Sequence, residues 1–208
     1  MVIGICGGSG SGKTTLLNRL AEQYAQFKPT VFSMDNYYKP VDEQTKDEKG
    51  VVNFDLPTAL DRETLIRDLK KLTDGESIDV LEYQFNAGGM NKRLITLHPS
   101  DLIIVEGLFL FEYKEVLELL DFSVFVEVDP KIQLDRRIYR DQDSRGYSRT
   151  EIIYQWDNHV LPCYRKYLEP YINDADFIYH NDSRYEVDFV LLVSELDLRL
   201  GLVDGPKV

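Results

Sequence analysis

The sequence predicts an α/β fold with a mostly parallel sheet covered by helices on both faces. Three observations predict it. Short apolar runs alternate with helical patterns along the chain, as strand–helix–strand units require. One run, "DLIIVEG", is apolar at consecutive positions and reads as a central strand buried on both sides. The first run, "VIGIC", leads straight into a glycine-rich stretch and then an amphipathic pattern. No internal repeat, low-complexity tract or linker rich in Pro, Gly or Ser divides the chain, so residues 1–208 are expected to form one domain.

The elements follow in order. "VIGIC" is the first buried strand. From Lys13 onward, Leu16, Leu17, Leu20, Tyr24 and Phe27 fall on one helical stripe. "TVFSMD" reads as a second strand ending on Asp35. Asp61 is placed to cap a helix carrying Leu65, Ile66, Leu69 and Leu72. "SIDVLEYQF" and "KRLITL" flank "NAGG" as two short strands, a small β-hairpin insertion at about 77–98. "DLIIVEG" and "FSVFVEVD" are the next strands. Pro130 then opens a basic helix that runs to about Asp143. Gly146 breaks it, and Ser148 with Glu151 forms a capping box for the helix after it, so 131–150 reads as a helical lid. Pro162 is expected to bend or end that second helix. "ADFIYHN" is a last strand before a C-terminal helix.

Composition excludes some function classes. The formal net charge is −12, with 43% hydrophobic and 29% charged residues. An acidic surface argues against nucleic acid or an anionic membrane as partner, because both need a positive field. It leaves room for a small anion held by a local basic site. The two cysteines, Cys6 and Cys163, lie far apart without metal-type spacing, and Cys6 reads as a small buried hydrophobe. No apolar run reaches membrane-span length, and "MVIGICGG" has no basic region or long apolar core of a signal peptide. A cytoplasmic enzyme or binding protein is the expectation.

The strongest motif is Gly7-Gly8-Ser9-Gly10-Ser11-Gly12-Lys13-Thr14, followed by Thr15, which fits G-x-x-x-x-G-K-[ST] between strand and helix. Glycines let the backbone curl so that several N–H groups face one phosphate, and the helix N-terminus adds positive dipole. Lys13 is placed to reach the outer phosphates, and the Thr14 hydroxyl to hold Mg²⁺. The glycine spacing does not fit the G-x-G-x-x-G of a dinucleotide site.

Other residues gain meaning beside that loop. Glu106 closes the buried "DLIIVEG" strand, where a carboxylate needs a partner or a metal, so it is a candidate metal organiser. Asp35, at the end of a strand in an open sheet, should face the same crevice; it fits a general base, a helix cap or an Asx turn, and spacing does not choose. "DRRIYRDQDSRGYSR" reverses the acidic trend. Arg137 and Arg140 share a helix face, Arg136 lies close to it, and Arg145 precedes the glycine break. Transfer of a phosphoryl group needs such cations. The alternative is a solvated helix laced by pairs such as Arg137 with Asp141 and Arg140 with Asp143. His98, before Pro99, reads as a loop residue, His159 and His180 as structural, and Trp156 and Tyr164 as packing residues.

The ordered set "GGSGSGKTT", "SMDNYYKP", "NFDLPTALD", "EYQF", "IIVEGLFLF", "RRIYRDQDSRG" and "YQWDNHVLPCYRKYLEP" resembles the uridine kinase family, related to phosphoribulokinase and bacterial pantothenate kinase. The resemblance runs in order to about Asn181. It implies a P-loop NTPase kinase fold that uses ATP, with GTP as the alternative donor, together with Mg²⁺. It implies that Asp35 takes the proton from a ribose 5′-hydroxyl and that Asp55 and Arg137 hold the 2′- and 3′-hydroxyls. Tyr38, Phe54, Tyr83 and Phe85 would line the acceptor pocket, and Gln155 would contact the nucleoside. Thr14 and Glu106 would organise Mg²⁺, while Lys13, Arg140 and Arg145 would act on ATP phosphates, Lys13 and Arg140 during transfer. Gly8 to Thr15 would cradle the nucleotide. A homo-oligomer, tetramer or dimer, is a further implication.

The departures bear on the acceptor. Uridine kinases often carry a base-reading histidine shortly after "YxF", and an arginine after the lid glycine. This chain reads "YQFNAGGMNKR" and has Tyr147 after Gly146, with Arg149 two residues on. Loss of such partners changes specificity more than chemistry. The expected activity is therefore phosphorylation of uridine, then cytidine. A kinase for another nucleoside, pantothenate or a sugar phosphate is the alternative, and a non-catalytic nucleotide switch the rival class. A nucleoside monophosphate kinase needs more cations near Asp35 than Lys39 alone.

Overall fold

A computed structural model describes residues 1–83 and 93–203. Five strands form one parallel sheet. They are β1 (Val2–Gly7), β2 (Thr30–Ser33), β5 (Ile103–Gly107), β6 (Phe122–Glu127) and β7 (Phe177–His180), in the order β2-β5-β1-β6-β7. A separate antiparallel pair, β3 (Ile78–Leu81) and β4 (Leu94–Leu97), forms the described part of the hairpin insertion. The rest of that predicted loop lies outside the described residues.

Alternation along the strands explains why the sheet is buried on both faces. In β1, Val2 and Cys6 join one core while Ile3 and Ile5 join the other. β5 divides likewise, Ile103 and Val105 against Ile104. The helices supply the opposing surfaces. Helix α1 (Lys13–Gln23) brings Leu16, Leu17 and Leu20 to the second core, and α2 (Arg62–Thr73) brings Leu65, Leu69 and Leu72 to the first. Asp61 caps α2 by accepting from the Thr64 N–H at 3.2 Å. A short α3 (Lys114–Leu117) follows β5. Helices α4 (Pro130–Arg145), α5 (Arg149–Gln155) and α6 (Leu161–Tyr167) come between β6 and β7, and α7 (Tyr185–Arg199) covers the second core with Leu192 and Leu196. Among the described residues no helix is long and apolar enough to cross a membrane.

Four local expectations differ from the structure. Helix α1 stops at Gln23; Tyr24 is buried just past it, and Phe27 sits in a 3₁₀ turn that ends on Lys28 with φ 48°. Strand β2 stops at Ser33 because the Ser33 hydroxyl accepts from the Asp35 N–H and opens a 3₁₀ turn, Met34–Tyr37. Helix α4 continues two residues beyond Asp143, to Arg145, where Gly146 adopts φ 71°. Pro162 neither ends nor breaks its helix. The turn before it, Trp156–Val160, widens into a π-helix and continues into α6. The wider turn suits a residue that cannot donate and that crowds the carbonyl four residues back.

Candidate active site

The carboxyl ends of β1, β2 and β5 point into one crevice, the place where an open α/β sheet presents loops to a ligand. The loop after β1 is held tightly. Gly10 has φ 78°, and a Cβ there would lie 2.6 Å from the Gln133 carbonyl of α4. At Gly12, φ 97°, a Cβ would collide with the Asn181 side-chain amide. Both positions therefore need glycine for conformation and for space. Gly12 precedes α1, so the Lys13 and Thr14 side chains leave the first helical turn. Lys13 Nζ donates to the Gly8 carbonyl at 3.1 Å, which bends the ammonium back over the loop.

Two carboxylates face Lys13 and Thr14. Glu106 is buried at the end of β5, where it accepts from the Ser33 hydroxyl at 2.9 Å and from the Thr14 hydroxyl at 3.4 Å. Asp35 lies on the 3₁₀ turn after β2. Burial and the charge of Glu106 push its carboxyl up to about 6, against the pull of Lys13, Arg145 and Arg140. Asp35 and Glu106 thus share one small pocket with Thr14, Asp55, Arg137 and Tyr147, a space of about 100 Å³.

Tyr38 and Phe54 line that pocket, and Tyr83 packs on Tyr38. The Tyr38 ring lies 5.9 Å from Phe54 and 5.2 Å from Tyr83. Asn36 Oδ1 accepts from the Tyr83 N–H at 2.9 Å, which ties the hairpin to the turn that carries Asp35. Phe85 lies outside the described residues.

Helix α4 supplies the cations. Spacing leaves Arg136 and Arg137 equivalent, but the structure separates them. Arg137 is buried and meets Ser9 Oγ at 2.9 Å, Gln155 Oε1 at 3.0 Å and Asp55 at 3.9 Å. Arg136 points the other way and donates to the carbonyls of Ser11 and Asn181. Asp141 is the hub. It is fully buried and lies 3.3 Å from Arg137, 2.7 Å from Arg140 and 3.3 Å from Arg145. The Arg137–Asp141 pair matches the helical spacing, whereas Arg140 pairs with Asp141 and not with Asp143. Sequence spacing offered Asp141 only as a surface partner; in the structure it is buried among Arg137, Arg140 and Arg145.

The structure thus brings Asp35, Tyr38, Phe54, Asp55, Tyr83, Glu106, Arg137, Arg140, Arg145 and Gln155 around Ser9, Gly10, Lys13 and Thr14. Gly8 and Ser11 belong to the loop itself: the Ser11 N–H donates to the Gly8 carbonyl at 3.1 Å, and the Ser11 carbonyl accepts from Asn181 Nδ2 at 2.6 Å. Thr15 sits elsewhere. It lines a larger cavity of about 730 Å³ beyond Gly12, with Arg19, Arg136, Asn181 and Tyr185. Asn181 escaped the sequence reading; its only signal is its position just after the last strand.

The residues fit a hard cation. Thr14 and Glu106 offer oxygen donors beside the phosphate loop, and among the described residues the Glu106 carboxylate has only two hydroxyls as its hydrogen-bond partners. No three His, Cys, Asp or Glu side chains converge into a cage among the described residues. A sparse set of this kind suits Mg²⁺, which keeps waters and takes ligands from phosphates.

The Phosphoribulokinase / Uridine kinase family matches residues 2–187. A uridine kinase of Chlamydia pneumoniae is 37% identical over 188 residues, covering 90% of this chain and 84% of its own length. One from Macrococcus caseolyticus is 36% identical over 177 residues, 85% of this chain and 86% of its own. Among solved structures, a possible uridine kinase from Bacillus stearothermophilus superposes with a TM-score of 0.61 at 23% identity, over 86% of this chain and 87% of that one. Phosphoribulokinase from Rhodobacter spheroides gives 0.62 at 16% identity, over 86% and 69% of the two chains. The solved structures establish the fold and the sequence relatives the lineage: the chain belongs to the phosphoribulokinase / uridine kinase family of P-loop phosphotransferases.

Proposed function

We propose that this protein transfers the γ-phosphoryl group of ATP to the 5′-hydroxyl of a pyrimidine ribonucleoside, uridine first and cytidine second, as a salvage kinase. The observation that carries the reading is the pocket itself: a carboxylate of raised pKa, Asp35, beside the phosphate loop and next to a buried Asp55–Arg137 pair. Relatives named uridine kinase over most of the chain point the same way. Asp35 takes the proton of the 5′-hydroxyl as that oxygen attacks the γ-phosphorus, and ADP leaves in line. Asp55 accepts from the cis-diol, and Arg137 donates to it. Lys13, Arg140 and Arg145 neutralise charge on the moving phosphoryl group. Thr14 and Glu106 would hold Mg²⁺, which would neutralise phosphate charge when bound with the nucleotide. The cavity beyond Gly12, near Arg136 and Asn181, receives the donor base.

The enclosed pocket also suits closure. Helices α4 and α5 join at Gly146, and the capping box of Ser148 and Glu151 starts the second helix. Movement at that joint would cover the phosphates and exclude water.

Tyr147 favours a second reading within the same chemistry. It lines the acceptor pocket where an arginine is common in uridine kinases, so a different nucleoside is the alternative acceptor. ADP release with Mg-ATP, and separately Mg-GTP, against uridine, cytidine, adenosine, guanosine, deoxyuridine, pantothenate and ribulose 5-phosphate tests both. Turnover with uridine and little with deoxyuridine supports the proposal. Turnover with another acceptor alone replaces the substrate, and turnover independent of any acceptor overturns the kinase reading.

A further inference from the structure

Asp55 does not stand alone opposite Arg137. It belongs to the long loop between the Met34–Tyr37 turn and α2, and Asp47 in that loop uses both carboxylate oxygens. Oδ1 accepts from the Lys49 and Val51 N–H groups, each at 2.9 Å, and shapes a tight turn. Oδ2 accepts from the Tyr154 hydroxyl at 2.7 Å and from the His159 ring Nε2 at 2.8 Å. His159 is buried, and its ring packs edge-on against Tyr154 at 5.9 Å. Tyr154 is followed directly by Gln155, which accepts from Arg137. The contacts close a ring: loop to Asp47, Asp47 to the α5 segment, Gln155 to Arg137, and Arg137 back to Asp55 on the loop.

The π-turn makes this ring feasible. Residues five apart on an α-helix are separated by about 1.4 turns and face different ways. Tyr154 and His159 are five apart, yet both reach one carboxylate oxygen. Between them the Trp156–Val160 segment is π-helical, and the Leu161 N–H bonds the Trp156 carbonyl five residues back. A wider turn holds more residues per revolution and brings such a pair nearer the same side. A helix defect ahead of Pro162 thereby becomes a double anchor for the acceptor loop.

We infer that Asp47, Tyr154 and His159 are positioning residues that hold Asp55 against Arg137 and so set the affinity for the acceptor alcohol. The inference rests on the proposed role of that pocket as the acceptor site. Hydroxyl and ring N–H donors to a carboxylate are charge-assisted and directional, which suits them to fix a loop. The anchor lies on the acceptor side of Arg137, and none of its three residues lines the phosphate-loop cavity or the one beyond Gly12.

Two measurements on the full chain test it. In steady-state kinetics, Tyr154→Phe and His159→Ala should each raise the acceptor KM about tenfold, leave the ATP KM within roughly twofold, and lower kcat less. His159→Gln, which keeps an N–H donor, should recover most of the loss. In hydrogen exchange without any acceptor, Tyr154→Phe should speed exchange across residues 45–55 without spreading to β1. An unchanged acceptor KM, or acceptor and ATP KM rising together, overturns the inference. A wild type that turns over no alcohol defeats the kinase reading instead; the exchange experiment still decides the clamp, and unaltered exchange at 45–55 would sink it.

Discussion

Asp35 is ionised at neutral pH against the preference of its surroundings. Its carboxyl titrates near 6 because burial and Glu106 both oppose the charge. As the proposed base it must be deprotonated, so kcat/KM should fall on the acid side with an apparent pKa near 6, read from a pH–rate profile with the acceptor that turns over. The same shift has a stability consequence. A carboxyl whose folded pKa lies above its unfolded value of about 4 favours the fold below that value and loses this contribution as pH rises through the folded pKa. Asp35→Asn removes the penalty. The variant should match wild type in Tm near pH 4, gain on it between about 4 and 6, and hold a constant advantage above about 7. It should also abolish phosphoryl transfer while leaving ATP binding nearly intact, as followed by calorimetry. Retained transfer would remove Asp35 from its role.

At the scale of elements, α4 is a lever with a buried fulcrum. Asp141 collects three guanidinium groups, and two of them, Arg137 and Arg145, are largely withdrawn from solvent. Asp141→Ala leaves those charges without their common partner and should cost about 3–5 kcal/mol in urea denaturation. Activity should fall as well, because Arg137 faces Asp55 from the same anchor. The next helix depends on its cap. Ser148 accepts from the Glu151 N–H, and the Glu151 carboxylate accepts from the Ser148 N–H. Ser148→Ala should lower stability by about 1 kcal/mol, with faster amide exchange confined to the start of α5.

For the whole molecule, the parallel sheet sets everything else. β1 lies between β5 and β6 and is buried along its full length, so its side chains serve both cores. Ile5→Ala opens a cavity under α1 and should cost about 2–5 kcal/mol in urea denaturation. Loss of that packing loosens the helix whose first turn presents Lys13 and Thr14, so the ATP KM should rise with it. The chain's net charge of −12 does not oppose nucleotide binding, because the cations that matter are gathered within the crevice.

The sequence by itself determined the α/β architecture, the phosphate loop and the helix caps at Asp61 and Ser148. These depend on local patterns: alternation of apolar runs, glycines before a Lys-Thr pair, and capping residues ahead of periodic stretches. Glu106 was legible for a related reason, since a carboxylate closing a buried strand requires partners wherever it occurs. Residue spacing left Arg136 and Arg137 open, and only the tertiary structure showed which of them faces Asp55. Arg136 and Arg137 are adjacent and alike in type, and the packing of α4 on the loop after β1 turns one toward Asp55 and the other toward Asn181. The roles of Asp141 and Asp47 were hidden for the same reason. A carboxylate among charged residues looks solvated in a sequence, and its burial or its partners come from elements far away in the chain. The π-turn at Trp156–Val160 belongs to this group too, because Pro162 forbids an ordinary hydrogen bond without saying whether the helix ends, bends or widens.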